Sequence, residues 1–359
     1  MADKSDLVSF VASMGGERSL RVEENLGEGF VRLRVAEAER RQAKHDIRCI
    51  EDIVVEMLRN ARDAGAKHIY VATSREGDRR VLTMLDDGSG IPEGMQERIF
   101  DARVTSKLDS VHMDRWGVHG RGMALYSVRE NAQSACVVSS GAGKGSSIRV
   151  IADACQLQER ADQSTWPVLG TDESGNQAIV RGPHNIVRCC GEFALEERGK
   201  CEVFVGSAPE IVATARRWVR PSIQGSDLLF LDSLEELPVL DRLKLAADAR
   251  ELLAEADSLG LEMSERTAHR IIAGQVRPLR SVLSRLLHKG GPSAQKDVDL
   301  SRDRRGLRLS QGDAEEFARI MERDFSFIAE RYYLSLSREP RLRVSHGRLT
   351  VSFELAEGD

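Results

Sequence analysis

The chain has 359 residues, of which 41% are hydrophobic and 30% charged, and a formal net charge of −5. That length allows two or three domains with sizeable cores, and the near-balanced charge carries no chain-wide sign of a nucleic-acid or anionic-membrane partner. The start, MADKSDLVSFVASMGG, lacks the basic-then-apolar pattern of a secretory signal, and no apolar run approaches the roughly 20 residues of a membrane span. Cys49, Cys136, Cys155, Cys189, Cys190 and Cys201 show no paired CxxC spacing. This argues against a zinc site and for reduced thiols in a cytoplasmic protein without membrane association.

Residues 20–35, LRVEENLGEGFVRLRV, predict a hairpin, or a strand leading into a helix, around a Gly-rich turn. From Ala36 to about Ala64, Ile47, Ile50, Val54, Met57, Leu58 and Ala61 recur at steps of three and four, the mark of an amphipathic helix. Gly65 is its expected C-cap. HIYVATS and RRVLTML read as two strands joined by REGD, and the second runs into LDDGSGIP, residues 85–92, which places acid on a glycine turn. GIPEGMQERIF predicts a short helix with Pro92 in its first turn. Residues 101–119 are polar and irregular, GRGMALYSVRENA predicts another helix, and SACVVSS and SSIRVIADA are two more strands around GAGKG.

This alternation predicts an α/β sandwich over residues 1–155, a mixed sheet with helices on one face. Residues 156–233 are expected to be a linker and a small α/β segment, with strands at CEVFVGS and DLLFLDS and a helix around PEIVATARRWV. Residues 234–359 are expected to be mainly helical. That region is interrupted by a loop at 288–306, continues with a helix at DAEEFARIMERDFSFIAERYY, and closes with a hairpin, RLRVSHGRLTVSFEL, turning at His346 and Gly347.

The spacing of Glu56, Asn60 and Asp63, four and then three, puts them on one helix face roughly opposite the apolar stripe. A solvated charged face is the ordinary meaning of such residues. Asn, however, is a weak helix former, and Glu with Asn one turn away can hold a water and a hard cation. Asp86 ends a strand, with Gly88 and Gly90 permitting close approach. It is either part of a plain turn or a carboxylate that accepts a hydrogen bond from an exocyclic amine. Gly117, Gly120 and Gly122 lead into a helix whose free N–H groups suit an anion, and GKGSS offers the Ser146 hydroxyl.

In order and spacing these segments resemble the GHKL superfamily of ATP-binding domains. That superfamily contains DNA gyrase B subunits, heat-shock 90 chaperones, sensor histidine kinases, MutL-type mismatch-repair proteins and topoisomerase VI B subunits. EDIVVEMLRNARDAGAKHIYV looks like its N box, LDDGSGIP like the first glycine box, WGVHGRGMALYSV like the second and GKGSSIRV like the third, within residues 45–152. The resemblance implies a Bergerat-type fold that binds ATP and Mg²⁺. Asp86 would accept the adenine amino hydrogen bond, with Gly88 and Gly90 shaping the pocket. Glu56 would activate water, Asn60 would ligate Mg²⁺ and Asp63 would support them. Gly117, Gly120 and Gly122 would form the phosphate lid, and Ser146 stands where the family usually has threonine.

RVTSKLDS, with Thr105, Ser106 and Lys107, is similar to a MutL-type lid, although neither the second domain of MutL nor its phosphate-binding lysine is recognisable. HDIRCIEDI superficially resembles the phosphoacceptor box of sensor kinases, but it puts His45 on the same expected helix as Glu56, 11 residues before it. The function implied is an Mg²⁺-dependent ATPase whose lid closure moves the C-terminal region, with a protein partner or a second copy. The alternatives are a nucleotide-sensing DNA- or protein-binding module with little turnover, or a kinase of the sensor or anti-sigma type.

Residues 258–280 give a helix-turn-helix outline, with Ser264 as cap, Arg266, His269 and Arg270 outward, and Ile271 and Ile272 inward. From Glu265 to Lys289 there are six Lys or Arg and one acid. Residues 264–289 are therefore a candidate DNA face, weighed against the commoner meaning, a helical segment with solvated arginines.

Overall fold

The computed structural model describes residues 22–35, 37–106, 112–114, 117–119, 122–160, 162–172, 175–223, 233–290, 311–332, 334–345 and 348–356. The chain divides into two units, Met1–Gly290 and Gly291–Asp359.

In the first unit, β1 (Val22–Gly27) and β2 (Phe30–Leu33) form the expected hairpin. Two helices follow, α1 (Glu37–Asp46) and α2 (Ile50–Asp63). The single helix expected from Ala36 to Ala64 is therefore broken at residues 47–49, which puts His45 at the end of α1 and Glu56 on α2. The break has a local cause. Cys49 adopts extended backbone (φ −154°, ψ 168°) as the N-cap of α2, and the Asp52 carboxylate accepts the Arg48 N–H at 2.9 Å, satisfying an amide that helix entry leaves without a partner.

β3 (His68–Glu76) and β4 (Arg79–Asp86) pair antiparallel from Ile69↔Asp86 to Glu76↔Arg79. After Pro92 the expected helix is replaced by two 3₁₀ turns, Glu93–Met95 and Arg98–Phe100, which drive Met95, Ile99 and Phe100 into the core. β5 (Val104–Thr105) extends the first hairpin through β2. The small hairpin of β6 (His112–Asp114) and β7 (Gly117–His119) occupies a stretch expected to be irregular. Then come α3 (Ala124–Asn131), β8 (Ser134–Ser140), β9 (Ser146–Asp153) and a hairpin of β10 (Val168–Thr171) with β11 (Gln177–Arg181). The remainder is α4 (Ile186–Glu196), β12 (Glu202–Gly206), α5 (Ala208–Trp218), α6 (Val239–Leu245), α7 (Ala249–Ser258), α8 (Glu265–Ile272) and α9 (Val282–Gly290).

The second unit is α10 (Gln311–Tyr332) and the hairpin of β13 (Arg341–Ser345) and β14 (Arg348–Ser352), with Phe325 stacked on Phe353 at 4.8 Å. The expected strand DLLFLDS begins at Asp227, and it falls outside the described residues up to its last, Ser233. The loop expected at 288–306 also lies outside them beyond 290, as does the turn at His346 and Gly347.

The main sheet runs β12-β3-β4-β9-β8, with β12 parallel to β3 and every other pair antiparallel. Side chains alternate across it. Ile69, Val71, Leu82, Met84, Ile148 and Val150 turn toward a core shared with α2, α3, α4 and α9. Tyr70, Ala72, Leu85 and Phe204 turn the other way and are covered by α5 to α8. Helices from residues 37–131 thus keep to one face, as the sandwich pattern implies, and residues 208–272 close the other.

That second face is fastened by specific polar contacts as well as apolar ones. Thr83 Oγ1 donates to the Gly260 carbonyl at 3.0 Å and Ser147 Oγ to the Leu259 carbonyl at 2.7 Å. Arg242 donates to Ser139 Oγ at 3.0 Å, and the Val239 N–H donates to the Lys144 carbonyl at 2.9 Å. Buried hydroxyls and carbonyls need such partners. Among the described residues no helix is long and apolar enough to cross a membrane.

Candidate functional site

α2 buries Ile50, Ile53, Val54, Met57, Leu58 and Ala61. Its other side presents Glu56, Asn60 and Asp63 to a cleft of about 540 Å³, within the usual range for a small-molecule site. Asp86, Gly90, Gly122 and Ser146 line the same cleft, and Met84, Ile91, Ile99 and Ile148 give it apolar walls. Gly117 lies in β7, and Lys107 and Gly120 lie outside the described residues.

Asp86 ends β4 directly opposite Ser146, which opens β9. Both are buried, and Ser146 Oγ donates to Asp86 Oδ2 at 2.5 Å. Asp86 Oδ1 accepts the Gly88 N–H at 2.8 Å. Gly88 has no room for a side chain, because a Cβ there would stand 2.8 Å from Asp86 Oδ1 and 2.9 Å from the Ala64 carbonyl. Gly90 has φ +69°, and its Cβ would sit 1.9 Å from the Gly141 carbonyl. The 86–91 turn and the 141–145 loop therefore touch backbone to backbone. Ser140 Oγ stitches them, accepting the Ile91 N–H at 2.8 Å and donating to the Gly145 carbonyl at 2.7 Å.

On α2, Glu56 Oε1 accepts from Arg59 Nη1 at 2.8 Å. Asp63 Oδ1 accepts from Arg62 Nε at 2.9 Å, and Arg62 also reaches Glu197, the C-cap of α4, at 3.4 Å. Asn60 differs from both, since its Nδ2 is buried with no hydrogen-bond partner. An unmet buried amide atom costs about 1–3 kcal/mol, a cost that a polar ligand in the cleft would relieve. Glu56 and Asn60 are hard oxygen donors one turn apart, a set that suits Mg²⁺, which binds through few protein oxygens and keeps several waters.

Two cleft residues were not singled out from sequence, Arg59 and Arg103. Arg103 has φ +62°, uncommon for a residue with a side chain. Its N–H donates to the Gly122 carbonyl at 2.8 Å, and its carbonyl accepts the Leu33 N–H at 2.9 Å. Its buried guanidinium pairs with Glu39 of α1, while its Nε has no partner. It holds β2, α1 and the Gly122 turn around one rim of the cleft. Nothing in the polar run 101–119 announces this, because the contacts come from three distant segments.

The family described as Histidine kinase-, DNA gyrase B-, and HSP90-like ATPase matches residues 45–155. Those bounds take in α2, β4, β9 and both glycine turns that wall the cleft. Residues 45–155 form a GHKL-type ATP-binding domain. Within and around this GHKL domain the chain is similar to DNA mismatch repair proteins MutL. It is 36% identical to that of Acidiphilium cryptum over 107 residues, 30% of this chain and 18% of that protein. It is 38% identical to that of Thermus aquaticus over 84 residues, 23% of this chain and 15% of that protein. The similarity thus spans less than a fifth of either relative's length.

Proposed function

We propose that the GHKL domain binds and hydrolyses ATP with Mg²⁺, and that closure of a lid within residues 101–122 moves the region that follows. The observation that supports this best is the meeting of Glu56 and Asn60 from α2 with the Asp86–Ser146 pair from the sheet edge around one cleft of about 540 Å³. On this reading the exocyclic amine of adenine donates to Asp86, whose carboxylate Ser146 and the Gly88 N–H hold in place. Gly88 and Gly90 keep the turn thin enough for the base to sit against it. Asp63 braces the α2 face, and Lys107, Gly117, Gly120 and Gly122 belong to the lid over the phosphates. Bound at Asn60, Mg²⁺ would neutralise charge on the phosphate oxygens. Glu56 takes the proton of the attacking water, and Arg59, 2.8 Å away, fixes the direction of that carboxylate.

The partner of the moving region would be a second copy or another protein that binds only one nucleotide state, in the cytoplasm. One observation favours a nucleotide sensor with little turnover as a second reading. The Glu56–Arg59 ion pair commits the proposed base to a guanidinium, which leaves it less available to water. Kinase activity has only the breadth of the family behind it.

The test pairs calorimetry of ATP binding with phosphate release. Glu56→Ala should bind ATP as the wild type does and lose about 10²–10⁴-fold in turnover. Tight binding without release in the wild type would favour the sensor, labelled protein from γ-labelled ATP would favour a kinase, and no ATP binding at all would end the proposal.

A further inference from the structure

We infer that α7, its turn and α8 form a helix-turn-helix that binds duplex DNA, with α8 as the element that enters the major groove. The inference rests on residues 249–281 and is independent of the nucleotide reading.

The unit is fully built. α7 starts at Asp248, whose carboxylate accepts the Arg250 and Glu251 N–H groups. It stops at Gly260, where φ is +72°. The Gly260 N–H bonds to the Asp257 carbonyl at 2.9 Å and the Leu261 N–H to that of Ala256 at 2.8 Å, the double closure that ends a helix sharply. Leu252, Ala256, Leu259, Leu261, Ala268 and Ile271 are all buried and form the kernel between the two helices and the sheet. Ala256 and Gly260 are the small residues that let the turn lie close, and a Cβ on Gly260 would meet Val138 at 3.2 Å. The turn is anchored besides, through the Thr83 and Ser147 hydroxyls on the Gly260 and Leu259 carbonyls. α8 is capped by Ser264 and ended at Gly274.

Beyond Glu265, what α8 and the segment after it present is cationic. Arg266, His269 and Arg270 are exposed on α8, with Ala268 and Ile271 inward, while Ile272, expected to be inward, is 38% exposed. After α8, Leu279 is held by its N–H on Thr214 Oγ1 at 2.8 Å and by its carbonyl on Trp218 Nε1 at 3.2 Å. Arg277 and Arg280, both exposed, stand two residues before and one after that anchor in the chain. Among the described residues none of Arg266, Arg270, Arg277 and Arg280 is in an ion pair, although the chain as a whole is acidic at −5.

Four arginines outside any ion pair, two on α8 and two after it, suit a polyanion. B-form DNA fits best, because its major groove, about 12 Å wide, admits a helix, whereas the deep, narrow groove of A-form RNA does not. α8 itself carries no aromatic anchor of the kind a protein partner favours, and the exposed Trp218 beside Leu279 already has contacts of its own, with Arg217 5.6 Å over its ring. α8 would lie in the groove, with Arg266, Arg270, Arg277 and Arg280 on the flanking phosphates.

The test uses the full chain and a fluorescent 30-base-pair duplex of mixed sequence, titrated by anisotropy at 50, 100 and 200 mM salt. Each neutralised phosphate contributes about −0.9 to the log–log salt slope, so four arginines should give roughly −3 to −4. Arg266→Ala with Arg270→Ala should flatten the slope by about two and weaken binding about sixtyfold at 0.1 M salt. Arg277→Ala with Arg280→Ala, off the helix, does the same if the first pair of substitutions lowers the melting temperature. Three results overturn the inference: no duplex binding at 50 mM salt, binding that neither folded double variant weakens, or preference for a single-stranded RNA of equal length.

Discussion

Asp86→Asn is the substitution that separates reading a base from building a turn. Asparagine can keep the contacts of Asp86 with Gly88 and Ser146. Its single oxygen can accept the Gly88 N–H, and its NH₂ can donate to Ser146 Oγ, which accepts as readily as it donates. Stability should therefore change little, by less than about 1 kcal/mol or roughly 4 °C in melting temperature. The atom offered to the ligand changes completely. Where a carboxylate accepted from the amine of adenine, an amide NH₂ now meets a second donor. A hydrogen bond to a charged group contributes about 1.5–3 kcal/mol, so ATP affinity should fall roughly 10- to 150-fold at 1.4 kcal/mol per decade. Guanine carries a carbonyl oxygen at that position, so GTP should weaken far less or bind better. Calorimetry with both nucleotides in Mg²⁺ buffer gives the two ratios. A variant that melts like the wild type and binds ATP with unchanged affinity would falsify the assignment of Asp86 to the base.

Gly90→Ala should abolish nucleotide binding and lower the melting temperature by several degrees, since its Cβ would lie 1.9 Å from the Gly141 carbonyl at φ +69°. Gly94→Ala, which meets nothing within 4 Å, is the matched control in the same thermal melt. Ser147→Ala leaves the buried Leu259 carbonyl without its donor and should cost about 1–3 kcal/mol in denaturant unfolding, and an unchanged midpoint would show the contact to be idle. The fourth prediction concerns pH. The hydrogen bond to Asp87, at 2.6 Å, outweighs burial and raises the His68 pKa above its ordinary 6.5. On Asp87, burial pushes upward, but the hydrogen bonds from the His68 side chain and backbone prevail and hold its carboxyl below 3.8. A raised histidine stabilises fully below pH 6.5 and loses that stabilisation as pH rises through its folded value. A lowered carboxyl acts above pH 3.8 and loses its effect as pH falls through its folded value. The melting temperatures of wild type and His68→Gln should thus differ most at about pH 5–6 and converge by about pH 9. A difference that is constant across that range would refute the pair's role.

Much of the cleft was legible because its signals are local. The Glu56–Asn60–Asp63 spacing, the acid at a strand end and the glycines at 88 and 90 each declare themselves within a turn or two of chain. What stayed hidden depends on distant partners. α4 was missed although Ile186, Val187, Cys190, Phe193 and Ala194 recur at helical intervals, because Val and Cys are weak helix formers and α2 stabilises it in the core. The break between α1 and α2 was missed because the apolar rhythm runs through it, while the Ile50 N–H that opens α2 bonds to the carbonyl of Gln158, far along the chain, at 3.3 Å. The placement of β12 beside β3 has no signature in either strand, since parallel pairing is set by the connection between them.

The alternation along β4 and β9 carries a consequence for how these strands can change. Leu82, Met84 and Asp86 on one strand, and Ser146, Ile148 and Val150 on the other, face the cleft and the core beneath it. Thr83, Leu85, Ser147 and Arg149 face α6 to α8, Arg149 through Glu262. Even-numbered positions serve the cleft, and odd-numbered ones serve the helices behind it. A substitution disturbs one side at a time, but inserting or deleting a single residue would swap parity along the rest of the strand, sending Asp86 or Ser146 to the back and Thr83 or Ser147 to the front. Both strands should therefore admit many substitutions yet be fixed in length. Saturation mutagenesis should divide into two classes of phenotype by residue number, with frame-preserving indels inside 82–86 and 146–150 belonging to both.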